Sequence, residues 1–316
     1  MWRAIAVTLH AGAAGRSARA LRWTGTVGTA MTPRTKRREA SEMQAHQATG
    51  SVQPRLAGVL SSIGGPLAVA VSGGVDSVTL ATFAHRAVAA RVEIFHAVSP
   101  AVPEEATDRV ERLAADQGWR LRIVDAGEFT DENYLANPVD RCFFCKTNLY
   151  GCIAHHSDAQ ILSGANLDDL REYRPGLEAA KRHCVRHPYL EAGIDKTAVR
   201  SLARDLGLGA LSELPAAPCL SSRVETGITI RPEVLKAIHA VERSIAREFP
   251  AGIVRCRVRA KRVVIELDPD TLAAIAGKHE DEVRAEAGRI FAGIAPALDL
   301  SFEPYRNGSA FMHSRA

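Results

Sequence analysis

The chain of 316 residues has no run of eighteen or more apolar positions, which excludes a membrane-spanning helix. It has no acidic residue before Glu39, and no compact apolar core followed by a small-residue cleavage site, so its start does not read as a secretory signal. No internal repeat is visible. The six cysteines contain a single C-x-x-C, which excludes a four-cysteine zinc ribbon, and without an export signal a disulfide framework is not expected. The glycine-rich turn at residues 72–77 has no lysine before its last serine, so it is not a Walker loop, and no G-x-G-x-x-G string marks a dinucleotide fold.

The charge is equally uneven. The net +4 is concentrated in residues 1–50, where eight Arg and Lys face only Glu39 and Glu42, leaving residues 51–316 at −2. The basic pI of 8.8 therefore belongs to the leader and does not argue for a nucleic-acid surface. The leader has the composition of an organelle transit peptide. The expected reading is nonetheless a disordered tail, or an over-long reading frame starting properly at Met31 or Met43. It is set aside as residues 1–50, and the expected compartment is the cytoplasm.

From residue 67 the pattern alternates. Strands are expected at 67–71, 92–97, 121–124 and 159–162, and helices at 75–90, 103–117 and 196–206, the last two closed by Gly118 and Gly207. This predicts an α/β domain over 51–225, a doubly wound parallel sheet with ligands at the carboxyl ends of its strands. After residue 225 the grammar changes. A helix at 232–249, a hairpin at 253–259 and 263–267, a helix at 270–291 and a strand near 298–302 predict a smaller α+β domain over 226–316, expected to serve the substrate or oligomerisation.

Three stretches carry chemistry. The first, AVAVSGGVDSVTLATFAHRA at 68–87, runs a buried strand through a small-residue turn into a helix. Gly73 and Gly74 let backbone N–H groups, with that of Val75, approach an anion at the helix N-terminus. Ser72 and Ser77 offer hydroxyls. Asp76 would be repelled by bare phosphate, so it is expected to hold Mg²⁺ or orient a nucleotide. The second, NPVDRCFFCKTNLY at 137–150, places Cys142 and Cys145 at a metal-gripping spacing, and PAAPCLSSR supplies Cys219 on a proline-bracketed loop. Arg223, four residues on, would favour its thiolate. Three cysteines suggest a [4Fe–4S] cluster. The alternatives are a structural zinc completed by His183, His187 or Cys184, or free thiols. The third stretch, residues 164–200, brings Asn166, Asp168 and Asp169 to a strand end and Arg174 to a proline-stiffened turn suited to phosphate or carboxylate. Lys196 and Arg200, one turn apart, suit the same anion, although either alone is more simply a solvated charge.

The S-G-G-V-D-S string resembles the PP-loop of ATP pyrophosphatases. With N-P-x-x-R-C-F-F-C-K, G-x-N-x-D-D, E-Y-R-P-G and P-C-L-S-S-R in that order, the chain resembles the LarE family over roughly residues 55–310. That resemblance implies an ATP-dependent sulfur transferase of nickel-pincer cofactor synthesis. It would adenylate a carboxylate of pyridinium-3,5-biscarboxylic acid mononucleotide and replace the adenylate with sulfur. It implies ATP held by Ser72, Gly73, Gly74, Val75, Asp76, Ser77, Asn166 and Asp169. Asp76 and Cys219 would be catalytic, and Arg174, Arg223, Arg257 and Arg259 would meet the substrate and its phosphate, with Arg255 beside them. Family members take sulfur either from the cysteine matching Cys219, leaving dehydroalanine, or from a cluster on three cysteines fed by sulfide. The C-x-x-C places this chain with the cluster type, with Cys142, Cys145 and Cys219 as ligands. A homo-oligomer is implied. Cys256 alternates away from the arginine face and is expected in the core. Glu172 stands where the family has Asp. Two other functions remain in view: a cluster-dependent tRNA thiolase, which would need a basic surface, and a non-enzymatic ATP sensor.

Overall fold

Strand β1 (Leu67–Ala70) shows why these residues form a buried sheet. Its side chains alternate between two apolar layers, Leu67 and Val69 into one and Ala68 and Ala70 into the other. The same alternation runs through β2 (Val92–Ala97) and β4 (Gln160–Leu162), and β3 (Leu121–Val124) closes one edge. The four strands are parallel in the order β3-β2-β1-β4, with Val69 opposite Ile94 and Leu162. The computed structural model describes residues 52–171, 173–215, 218–250, 252–294 and 299–311; the leader and Glu172 lie outside them.

Helices cover both faces, as a doubly wound sheet requires. One layer is filled by α1 (residues 52–62), α2 (Val75–Val88), α3 (Glu104–Gln117) and α8 (Lys196–Asp205), the other by α5 (Arg141–His156) and α6 (Pro175–Arg182). Helix α2 is buried on nearly every side because α8 packs over it. Helix α3 ends at Gly118, whose φ of 68° suits glycine. Asp195 caps α8 by accepting from the Ala198 N–H. Short helices α4 (Glu132–Leu135) and α7 (Pro188–Glu191) complete this half. Among the described residues no helix is long and apolar enough to cross a membrane.

The second sheet holds the antiparallel pair β5 (Val254–Val258) and β6 (Arg262–Leu267), with β7 (Asp299–Pro304) parallel to β6. The single helix expected over 270–291 is two, α10 (Pro269–Ile275) and α11 (Lys278–Phe291), because Gly277 at φ 88° turns the chain between them. The core between this sheet and α9 (Pro232–Glu248) also takes in Ala101 and Tyr134, and Phe144 and Cys145 pack against it. The first turn of the C-x-x-C helix therefore rests on the second core. Cys256 is fully buried there, as alternation predicts.

One buried carboxylate organises the hairpin. Glu266, with no exposed surface, accepts from Arg257 Nε at 3.1 Å and Arg259 Nη2 at 3.2 Å, and Ser309 Oγ donates to it as well. Removing one member of a buried charge pair strands the others in low dielectric. Glu266→Ala is therefore expected to lower unfolding stability by about 3–5 kcal/mol, read by urea denaturation.

Candidate functional site

The loop after β1 is built before any ligand arrives. Gly73 sits at φ 81°, and a Cβ there would lie 2.8 Å from the Ala106 carbonyl oxygen, so both backbone and space demand glycine. Gly74 is extended and caps α2. Ser77 is buried, and its hydroxyl folds inward: it accepts from the Ser72 N–H at 3.1 Å and donates to the Gly74 carbonyl at 3.2 Å. Beneath the loop, His96 Nδ1 lies 2.8 Å from the Val71 carbonyl and must donate to it, so Nε2 accepts from Thr107 Oγ1 at 2.9 Å. Burial lowers the pKa of this imidazole. Arg109 Nη1 donates to the Gly73 carbonyl at 2.8 Å. A cavity of about 410 Å³ opens at the carboxyl ends of β2 and β3, with Val98, Ser99, Thr107 and Asp125 on its walls.

The end of β4 forms the facing wall. A Cβ on Gly164 would stand 2.9 Å from the Ser77 nitrogen and 3.0 Å from the Asp76 carbonyl carbon, so the two turns touch backbone to backbone. Asp76 is the meeting point. Its carboxylate accepts from Asn166 Nδ2 at 3.3 Å and pairs with Lys196, and its carbonyl accepts from the Tyr189 hydroxyl at 3.1 Å. Asp168 and Asp169 are turned to backbone: Asp168 accepts from the Lys196 N–H at 2.8 Å and Asp169 from the Asn166 N–H at 3.0 Å. Asp169 also pairs with Arg174 at 2.9 Å. Lys196 and Arg200 do not share an anion: Arg200 donates instead to the Ser212 and Leu214 carbonyls.

The cysteines form a third group. Cys142 and Cys145 lie one turn apart at the start of α5, and Cys219 is exposed just before a single helical turn, Leu220–Arg223. Burial pushes the Cys145 thiol up to about 12 and that of Cys142 upward, and nearby Cys219 raises both further. Burial opposes the charge of Lys146, but Tyr150 and the three thiols hold its pKa above the ordinary lysine value. A Cβ on Gly176 would lie 3.7 Å from the Cys142 carbonyl oxygen, which sets the start of α6 on the start of α5. Arg174 therefore stands between the groups, paired with Asp169 on one side and acting on the Cys142 thiol on the other. Among the described residues, no group of three or more His, Cys, Asp or Glu side chains is arranged to hold a metal ion. His187, read from sequence as a candidate zinc ligand, bonds to Ser163 instead, with Oγ and Nδ1 2.7 Å apart.

The arginines read from sequence as phosphate ligands are differently engaged. Arg223 is buried and clamps the Cys219 loop: Nη1 donates to the Pro218 carbonyl at 2.5 Å and the Cys219 carbonyl at 3.0 Å, while Nε and Nη2 each meet Glu242 at 3.0 Å. It grips the backbone on either side of the thiol. Arg257 is buried against Glu266 and donates to the Ser222 carbonyl at 3.0 Å. Arg259 shares Glu266 and reaches toward Glu303 at 3.9 Å. Arg255 donates to the Val254 carbonyl at 2.8 Å and lies over the Tyr305 ring. Sequence reasoning missed Tyr189, Arg109 and the Ser163–His187 pair. Tyr189 stands 113 positions from Asp76 and has no local signal.

A parallel α/β sheet with a glycine turn at the carboxyl end of β1, faced by the β4 loop, defines a PP-loop-like protein. No protein-family model matches the chain. The chain is 36% identical over 210 residues to the uncharacterized protein slr1717 of Synechocystis sp., an alignment spanning 65% of this chain and 77% of that one. It is 26% identical over 216 residues to the uncharacterized protein MJ0830 of Methanocaldococcus jannaschii, covering 67% and 81%. It is 29% identical over 211 residues, covering 63% and 73%, to the pyridinium-3,5-bisthiocarboxylic acid mononucleotide synthase of Lactiplantibacillus plantarum. The chain belongs to the family of the Synechocystis protein, a LarE-like family in which the Lactiplantibacillus synthase is a more distant relative.

The backbone contact between the two turns can be tested directly. Gly164→Ala places a methyl against the Ser77 nitrogen and the Asp76 backbone, which must shift. Overpacking of this kind costs about 1–3 kcal/mol. The expected result is a loss of unfolding stability of that size in urea denaturation, with helix content unchanged by circular dichroism.

Proposed function

We propose that this protein is an ATP-dependent sulfur transferase acting on a carboxylated pyridinium mononucleotide. The observation that carries the reading is the position of Arg174, which pairs with Asp169 of the β4 wall and lies two residues before Gly176, where α6 meets the Cys142 carbonyl. A carboxylate held there lies between a nucleotide phosphate and sulfur. The name of the Lactiplantibacillus relative supports the substrate class, since it specifies a pyridinium ring, thiocarboxylic acids and a mononucleotide.

In this reading the loop N–H groups and the α2 N-terminus bind the ATP phosphates. Asp76, a hard oxygen donor, would hold Mg²⁺ accompanying the nucleotide, where the ion neutralises phosphate charge. Arg174 orients the substrate carboxylate, whose oxygen attacks the α-phosphorus as pyrophosphate leaves. A carboxylate oxygen is a poor leaving group, and the resulting acyl-adenylate makes AMP a good one. As sacrificial donor the Cys219 thiolate would attack the acyl carbon as AMP departs, and loss of the Cys219 α-hydrogen with cleavage of its Cβ–Sγ bond would release the thiocarboxylate and leave dehydroalanine; sulfide delivered beside Cys219 would give the thiocarboxylate directly, with AMP as the leaving group. Arg223 keeps the Cys219 loop in place by its carbonyl bonds. The phosphate of the mononucleotide would meet the basic hairpin at Arg259, on its rim.

The C-x-x-C supports a [4Fe–4S] centre on Cys142, Cys145 and Cys219 over sacrifice of Cys219. As the three thiols stand, they are neighbours without forming a set arranged for a metal ion, and no step is derived through such a centre. We propose in addition a homo-oligomer in the cytoplasm. The −2 charge of residues 51–316 supports a small-molecule substrate over tRNA.

Two measurements test this. Asp76→Ala is expected to cut pyrophosphate release, with ATP and the pyridinium substrate, by about 10²–10³-fold, the usual loss for one preorganised electrostatic group. Unchanged release would remove the ATP-dependent step and leave at most a nucleotide-binding module. For sulfur, anaerobically isolated protein is expected to carry iron and sulfide that any of Cys142→Ala, Cys145→Ala or Cys219→Ala removes, with intact mass unchanged after turnover. Colourless protein that loses the mass of hydrogen sulfide at residue 219 would make Cys219 the sacrificial donor.

A further inference from the structure

Beside β4 the chain runs parallel once more, Leu162 bridging Arg186. The Ser163 N–H donates to the Arg186 carbonyl, and the Arg186 N–H to the Ile161 carbonyl, each at 3.0 Å. This added strip sets His187 beside Ser163, Nδ1 and Oγ 2.7 Å apart. The pair occupies the carboxyl end of β4. Gly164, the next residue, touches the Ser77 and Asp76 backbone, and Tyr189, two residues beyond His187, donates to the Asp76 carbonyl. Both members are half-buried, so neither is sealed from solvent. The steps described above leave it without a task.

The surroundings decide its charge. Burial lowers the pKa of His187, against the opposing pull of Glu191 and Asp169. Both carboxylates are already paired, Glu191 with Arg186 and Asp169 with Arg174, and Asp76 is paired with Lys196. With no anion added, burial therefore favours the neutral imidazole. A neutral imidazole can either donate to or accept from the serine hydroxyl, but an imidazolium has hydrogens on both nitrogens and can only donate. Protonation therefore fixes the direction of the bond: Nδ1–H donates to Ser163 Oγ, and the Ser163 hydrogen is free to donate elsewhere.

We propose that Ser163 and His187 form a proton-linked arm of the phosphate site, in which His187 takes a proton from solvent as a polyphosphate binds and thereby turns the Ser163 hydroxyl hydrogen toward a phosphate oxygen. Ser163 is the contact and His187 the positioning residue. The proposal rests on the nucleotide reading of the loop and adds to it a pH dependence that the glycine turn alone would not have.

The test is isothermal titration of the full chain with α,β-methylene-ATP and Mg²⁺ at pH 7.5, in buffers of different ionisation enthalpy, so that proton uptake is counted directly. Wild type is expected to take up more protons than His187→Gln, by a difference approaching about one, and to lose affinity relative to it by up to about tenfold per pH unit above neutrality. Gln can keep a hydrogen bond to Ser163, so a purely structural role predicts no difference in uptake. Ser163→Ala, which retains the imidazole, should weaken binding and shrink the uptake difference. Equal proton counts in wild type and His187→Gln, with the analogue bound by both, would overturn the proton link and leave the nucleotide site standing. Failure of wild type to bind the analogue would overturn the nucleotide reading and this proposal together.

Discussion

The site depends on how Asp76 is held. Its carboxylate is shared by Asn166 from the end of β4 and Lys196 from the start of α8, and its carbonyl is held by Tyr189 from α7. Three segments between 90 and 120 positions away thus converge on one residue at the first turn of α2. A partly exposed ion pair of this kind is worth little by itself. Its effect here is positional: with the backbone contact of Gly164 it fixes the spacing between the β1 and β4 turns, which sets the width of any anion site between them.

The sulfur side is held differently, by buried charge. Arg223 with Glu242 and Arg257 with Glu266 are ion pairs almost without exposure, and both guanidiniums also bind carbonyls of the 218–222 segment. Buried pairs are costly to desolvate and add little net stability, but each is strict about geometry. Their common product is a Cys219 loop anchored to the second sheet while its thiol stays exposed. The Ser221 hydroxyl, bonded to the Tyr134 hydroxyl at 2.6 Å, and the Leu220 N–H, bonded to the Ala101 carbonyl, tie the same loop to the first half of the chain. The second core thus carries the Cys219 loop to the sheet that carries the glycine turn.

Much of this was legible in the residues. The buried apolar strand runs, the glycine turn and the helix stops at Gly118 and Gly207 follow from local rules that need no partner. So do the C-x-x-C spacing and the change of pattern after residue 225. The break at Gly277 was missed because an isolated glycine within a helical pattern is ambiguous until its φ is known.

What the tertiary structure decided was the partner of each charge. Sequence marks Arg223, Arg257, Lys196 and Arg200 alike as cations near a candidate site. Only the packed chain shows that the first two are buried against carboxylates, the third reaches Asp76 and the fourth caps carbonyls at 212 and 214. The Ser163–His187 bond and the link from Tyr189 to Asp76 have no sequence signature at all. Local pattern is written by backbone periodicity, which repeats every few residues, whereas a side-chain partner is set by which surfaces the core brings together, and nothing in the neighbouring residues encodes that.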